Sequence, residues 1–229
     1  MEYNKKTFKN DFLQLADEKY REFSKKIGIG KIEPIGIRTP QLRTFAKQLS
    51  KSNWKELFEC ESNWCSEVII LKGLCLGYAK IDIDEFLIYL HKFFEMVESW
   101  AETDMCASSF KIIKKHNKRV FDEIKPYLFC KEEYKVRLAI IILLDYFLID
   151  DWIDKVLELL PTIEQDVYYI DMAIAWILSV CFVKYREKTL QIFEKKAFSK
   201  WVRNKAIQKC RESFRVSNED KQLLLSYKV

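Results

Sequence analysis

A small residue returns about every 33 positions through most of this 229-residue chain: Gly73, Ala107, Ala139, Ala173 and Ala206, at spacings of 34, 32, 34 and 33. Each lies inside an apolar, helix-like stretch. A period of that length marks stacked helix pairs, in which no unit buries its apolar face alone and the array builds one continuous core. The expected fold is all-α, a right-handed α-α superhelical solenoid with a concave groove. What such a groove binds depends on the residues it presents, because one architecture serves many unrelated functions.

Apolar spacing predicts the individual helices. Phe8, Phe12, Leu15, Ala16, Tyr20 and Phe23 lie three or four apart, which predicts one helix from about Thr7 to Ile27. Gly28, Gly30, Pro34 and Gly36 break it, and Thr39-Pro40 supplies an N-cap and a first-turn proline for a helix to about Leu49. Ser52 or Asn53, Ser62-Asn63, and Asp82 or Asp84 begin the next three. Further helices are expected over residues 100–115, 118–128, 132–148, 151–160, 167–184, 188–196, 199–214 and 218–227, with Asp150 capping the 151–160 segment and Pro161 stopping it. No stretch alternates with period two, so no sheet is expected. With five Gly, four Pro and no Ser- or Pro-rich tether, residues 1–229 read as a single helical-repeat domain.

The N-terminus has no apolar signal core, and the longest apolar run, Leu138 to Leu144, is far short of the roughly 20 residues that span a bilayer. A cytoplasmic, monomeric protein without membrane contact is expected. Seven cysteines, an odd number without a CxxC pair, read as free thiols buried in the core. His91 and His116 are the only histidines and lack paired-ligand spacing, so neither a metal nor another cofactor is expected.

The net charge of +5 is modest, but its placement is not. Residues 184–228 hold 13 Lys/Arg against 5 Asp/Glu, and the rest of the chain holds 26 against 29. The positive excess lies in the last fifth, where a polyanion would be attracted. A smaller cluster, Lys111, Lys114, Lys115, Lys118 and Arg119, reads equally well as a solvated helix face.

Four residues could carry chemistry. Trp100 and Asp104 are four apart on one predicted helix and share a face, which sets a partly desolvated carboxylate beside an indole. That suits a general base or an electrostatic stabiliser, and it equally suits an acid near a helix N-terminus with Trp100 filling a groove. Arg137, at the polar edge of the apolar KVRLAIIILLDYF segment, needs solvent or a partner in a neighbouring repeat. Trp176, in MAIAWILS, is core or platform.

The segments PIGIRTPQLR (34–43), SWAETD (99–104), VRLAI (136–140), MAIAWILS (172–179) and NKAIQKCRES (204–213) together resemble the AlkD family of HEAT-like-repeat DNA glycosylases. The resemblance implies that Trp100, Asp104, Arg137 and Trp176 form an active cleft that removes cationic N3- or N7-alkylpurines from duplex DNA by hydrolysis. Asp104 is then the catalytic carboxylate, Trp100 and Trp176 pack against the deoxyribose, and Arg137 holds a flanking phosphate. The lesion is not enclosed in a pocket. Lys184, Arg203, Lys205, Lys209 and Arg211 are the candidates for further backbone contacts. Two alternatives stay open: a non-catalytic DNA-binding relative, and a HEAT-type scaffold whose positive C-terminus docks an acidic protein.

Overall fold

A computed structural model describes residues 2–28, 31–163 and 166–229; Gly30, expected as a helix breaker, lies outside them. Among the described residues there are fourteen α-helices, four 3-10 turns and no strand. The helices group into two compact units, Met1–Glu123 and Ile124–Val229.

The first unit contains α1 (Phe8–Leu13), α2 (Glu18–Lys26), α3 (Thr39–Leu49), α4 (Trp54–Cys60), α5 (Ser66–Tyr78), α6 (Ile83–Phe94), α7 (Trp100–Ala107) and nearly all of α8 (Asn117–Ile124). The second contains α9 (Glu133–Tyr146), α10 (Ile153–Leu159), α11 (Tyr168–Lys184), α12 (Arg186–Glu194), α13 (Lys200–Glu212) and α14 (Asn218–Leu223). Within the first, α5 packs between α3 and α7; within the second, α11 packs between α9 and α13. This neighbour-on-neighbour packing is that of a helical repeat. The central helices are apolar all round rather than amphipathic: every residue of α5 from Ser66 to Leu76 is buried.

The periodic small residues allow this close approach. Gly73 faces α6 and α7, and a Cβ there would lie 2.5 Å from the Phe93 ring and 2.6 Å from Cys106 Sγ. Ala107, Ala139, Ala173 and Ala206 are all fully buried in the corresponding helices. Gly77, one turn beyond Gly73, is tighter, since a Cβ would stand 1.9 Å from Ser109 Oγ and 2.9 Å from the Ser109 backbone carbon. Overpacking of this kind costs about 1–3 kcal/mol when side chains alone must move, and more when backbone must. Gly77→Ala therefore lowers the unfolding free energy by at least ~2 kcal/mol. Ser109→Gly in the same chain restores part of the loss, which denaturant melts of the single and double variants will read.

Acidic side chains near the N-termini of the central helices tie the layers together. Glu67, in the first turn of α5, accepts backbone N–H bonds from Ile35 (3.0 and 3.1 Å), Gly36 (2.7 Å) and Ile37 (3.1 Å). The turn that aims these three donors at one carboxylate needs Gly36 at φ +90, a region that only glycine enters freely. Glu133 likewise accepts from Tyr169 N at 2.8 Å, linking α9 to α11. Lys72, buried in α5, donates to the Glu61 carbonyl that closes α4 (2.6 Å) and to Asn63 Oδ1 (2.9 Å), and burial holds its amine below the ordinary lysine range.

Several boundaries differ from the sequence expectation. The single helix over 7–27 is two, because Asp17 turns to the extended region and caps Tyr20 N at 3.0 Å, starting α2 afresh. The helix over 100–115 stops at Ala107 and resumes as a 3-10 turn, Lys111–Lys115. Thr39 is the first residue of α3 rather than its cap, which is Arg38. Trp152, not Asp150, occupies the cap of α10; the helix ends at Leu159, just before Pro161 as expected, and a 3-10 turn, Leu160–Thr162, follows. Five of the seven free cysteines are buried as expected; Cys130 is half-buried and Cys60 exposed. Among the described residues no helix is long and apolar enough to cross a membrane.

Candidate functional site

In the first unit, α7 begins at Trp100 because Ser99 caps it, accepting from Glu102 N at 3.3 Å. Trp100 and Asp104 are half-buried on the outer face, while Ala101, Glu102 and Thr103 between them are buried. The Trp100 indole N–H donates to the Gly28 carbonyl at 3.0 Å, which fixes the ring plane. The Thr103 hydroxyl lies 2.9 Å from both the Trp100 carbonyl and Asp104 Oδ1, and its one proton serves one of them at a time. Arg43 reaches across from α3 to the Tyr78 hydroxyl (2.8 Å) and to the carbonyl of Met105, the residue after Asp104 (3.1 Å).

A second acid in this helix serves a different purpose. Glu102 is 1% exposed, and burial pushes its carboxyl up to about 7 even though Glu98 N (2.7 Å) and Ser66 Oγ (3.1 Å) donate to it. It stands two positions before Asp104, so the side chains point to opposite faces, one into the core and one outward. A carboxyl whose pKa is higher folded than unfolded stabilises the fold fully below its unfolded value of 4.5 and loses that stabilisation as pH rises through about 7. Unfolding free energy therefore carries a falling component of about 3 kcal/mol between those limits from this group. Glu102→Gln keeps an acceptor for Glu98 N and a polar partner for Ser66. Its stability relative to the parent thus rises from pH 5 to pH 8, a difference that urea melts at the two pH values measure.

In the second unit Arg137 is 6% exposed, donates from Nη1 to the Tyr169 carbonyl at 2.8 Å, and lies over the Tyr169 ring with its guanidinium carbon 6.0 Å from the centroid. Its partners in the neighbouring repeat include this backbone carbonyl and ring. Trp176 is half-buried on α11 and walls an open cleft of about 240 Å³ with Val180, Val183, Lys209, Glu212 and Arg215.

The basic C-terminal helix divides its charges. Lys205 and Arg211 line a groove of about 500 Å³ beside Trp201, whereas Lys209 faces the Trp176 cleft. Lys184 is exposed, with Nζ 3.4 Å from the Leu148 carbonyl. Arg203 does not reach the surface as expected: it is buried, and its Nε has no hydrogen-bond partner among the described residues. The mid-chain basic cluster is partly neutralised, Lys118 pairing with Asp122 and Arg119 with Asp84, while Lys111, Lys114 and Lys115 stay exposed.

Sequence reasoning missed a row of rings. Tyr134 contacts Tyr169 (5.4 Å between centroids), Tyr169 contacts Tyr168 (5.0 Å), and Tyr168 contacts Trp201 (6.0 Å). The signal was present. Trp100, Tyr134, Tyr168 and Trp201 follow the same period as the small residues, at the first or second position of α7, α9, α11 and α13.

An all-helical repeat whose last long helix sets cations beside exposed indole and phenol rings has the make-up of a nucleic-acid-binding protein. The chain belongs to the DNA alkylation repair enzyme family, whose match runs over residues 8–210 and so takes in most of both units. Membership assigns it to DNA alkylation repair, with DNA as its substrate. No curated protein and no solved structure matches the chain.

Proposed function

We propose that the protein is a monofunctional DNA glycosylase that hydrolyses the N-glycosidic bond of cationic alkylpurines, such as 3-methyladenine and 7-methylguanine, in duplex DNA. The observation that supports this reading best is the outer face of α7, where a half-buried carboxylate, Asp104, sits one turn from an indole anchored to the Gly28 carbonyl.

A purine already bearing positive charge leaves as a neutral base when the electron pair of the C1′–N bond passes to it, so no general acid is needed. The demand falls on the sugar, which turns cationic. A carboxylate beside C1′ stabilises that charge more strongly in the transition state than in the ground state, which is what raises a rate. The same carboxylate takes a proton from the water whose oxygen forms the new bond to C1′, in the manner of the carboxylates of glycoside hydrolysis. Trp100, on the same helix, offers a ring face whose attraction for a cation grows as the charge develops; Trp176 belongs to the second unit and is proposed to pack against the DNA backbone. Lys184, Lys205, Lys209 and Arg211 supply phosphate contacts, so binding falls steeply with salt. Arg137, buried over the Tyr169 ring, meets a phosphate only through the small part left at the surface.

Incubation of the purified chain with methylated duplex DNA, followed by chromatography of the released bases, tests the reading; absence of 3-methyladenine and 7-methylguanine from the supernatant defeats it. The burial of Arg137 favours a second reading, in which the protein binds DNA without excision. That reading predicts a salt-sensitive shift of duplex in a gel and no free base.

A further inference from the structure

We infer that the exposed stripe of α13 is a binding site for unpaired nucleotides of a DNA strand, with bases stacked on Trp201 and Tyr168 and phosphates held by Lys200, Lys205, Arg211 and Lys228. This goes beyond glycosidic hydrolysis and does not need it.

Charge is the first support. The groove of about 500 Å³ is lined by those four cations and by no Asp or Glu, and among the described residues none of the four is in a salt bridge. The nearest acid along the helix, Glu212, faces the Trp176 cleft and accepts from Gln208 at 2.7 Å. Two lysines elsewhere in this unit do pair, Lys188 with Asp154 at 2.6 Å and Lys135 with Glu132 at 3.7 Å. Leaving four cations together without counter-charge costs self-repulsion that a bound polyanion would relieve.

Shape is the second. Lys200, Trp201, Asn204, Lys205, Gln208 and Arg211 recur at helical spacing on one face, a stripe of about 16 Å from end to end. Asn204 pins Val229 back on α13 through two bonds, Nδ2 to the Val229 carbonyl (2.9 Å) and Val229 N to Oδ1 (3.1 Å), which brings Lys228 to the rim.

The rings select the ligand. Trp201 is 41% exposed and Tyr168 59%, and large aromatics left open beside uncompensated cations suit bases that have left the duplex stack. An acidic peptide would use the charges and not the rings, and paired bases expose only their edges. Lys205 lies 5.9 Å from the Trp201 centroid and reaches Gln208 Oε1 at 3.1 Å, so its ammonium stands where a phosphate next to a stacked base would pass. Arg211 and Lys228 lie beyond the family match, which ends at residue 210.

The test is fluorescence anisotropy with the full chain and three labelled probes of equal length: oligothymidylate, the corresponding abasic phosphodiester, and duplex. The parent should bind oligothymidylate about tenfold more tightly than the abasic strand, the contribution expected of one or two stacked bases. Trp201→Ala should remove that preference while keeping the abasic affinity, and Trp201→Tyr should restore most of it. Lys205→Ala and Arg211→Ala should weaken both single strands alike and reduce the salt slope by about one contact each. Equal affinity for the abasic strand, or unchanged oligothymidylate binding by Trp201→Ala with an unaltered melting curve, overturns the inference. So does tighter binding of polyglutamate or of oligouridylate. Base release from methylated duplex, assayed in parallel, reports separately on the glycosylase reading.

Discussion

Asp104→Asn protein is expected to release alkylpurines from methylated duplex about 100–1,000-fold more slowly than the parent, the usual loss when one preorganised electrostatic group is removed from an active site. The substitution is nearly isosteric, and the Asn carbonyl still accepts from the Thr103 hydroxyl that stands 2.9 Å from Oδ1, so the side chain keeps its place on α7. What changes is charge. A neutral amide neither attracts a sugar turning cationic nor takes a proton from water, while ground-state contact with the duplex, made mostly through phosphates, is kept. Duplex affinity should therefore stay within about threefold of the parent while the single-turnover rate collapses. A rate equal to the parent's would exclude Asp104 from the chemistry. Parallel loss of binding and thermal stability would mean that the residue supports α7 and nothing more.

Glu67→Ala should be the most destabilising single change in the first unit, lowering its unfolding free energy by about 3–5 kcal/mol. Three backbone donors, Ile35, Gly36 and Ile37, converge on this buried carboxylate, and truncation leaves them without an acceptor in a place water does not easily reach. Glu67→Gln can place its carbonyl where Oε1 now accepts from Ile35, Gly36 and Ile37, so it loses only the second Ile35 leg, to Oε2, and sets an amide NH2 there instead, which costs about 1–2 kcal/mol. The ordering Ala well below Gln below parent, read from urea midpoints, is the expected result. A Glu67→Ala protein as stable as the parent would show that the loop before α3 is held by its apolar residues alone.

The helices and their rhythm were legible because both are local properties. Apolar spacing of three and four marks a buried helix face wherever it occurs, and a small residue every 33 positions reports a recurring close approach, as Gly73 against Phe93 and Cys106 shows. The pairing of Trp100 with Asp104 was equally legible, since four residues make one turn. Harder to read were the places where a side chain's fate depends on a partner far along the chain. The PIGI segment announces a loop through its proline and glycine. Nothing nearby announces that its N–H groups serve Glu67, about thirty residues away.

Charge illustrates the same divide. The basic excess of residues 184–228 was plain in the sequence, and it pointed to a polyanion. Which cations are available was decided by the rotation of α13 against α11, which buries Arg203, turns Lys209 toward Trp176 and leaves Lys205 and Arg211 beside Trp201. By itself the sequence determined a repeating all-helical chain with an anion-seeking end, because periodicity and net charge are sums over residues. Only the tertiary structure decided which acid is core and which faces outward, and which rings and cations share a groove, because exposure depends on what each face of a helix is packed against.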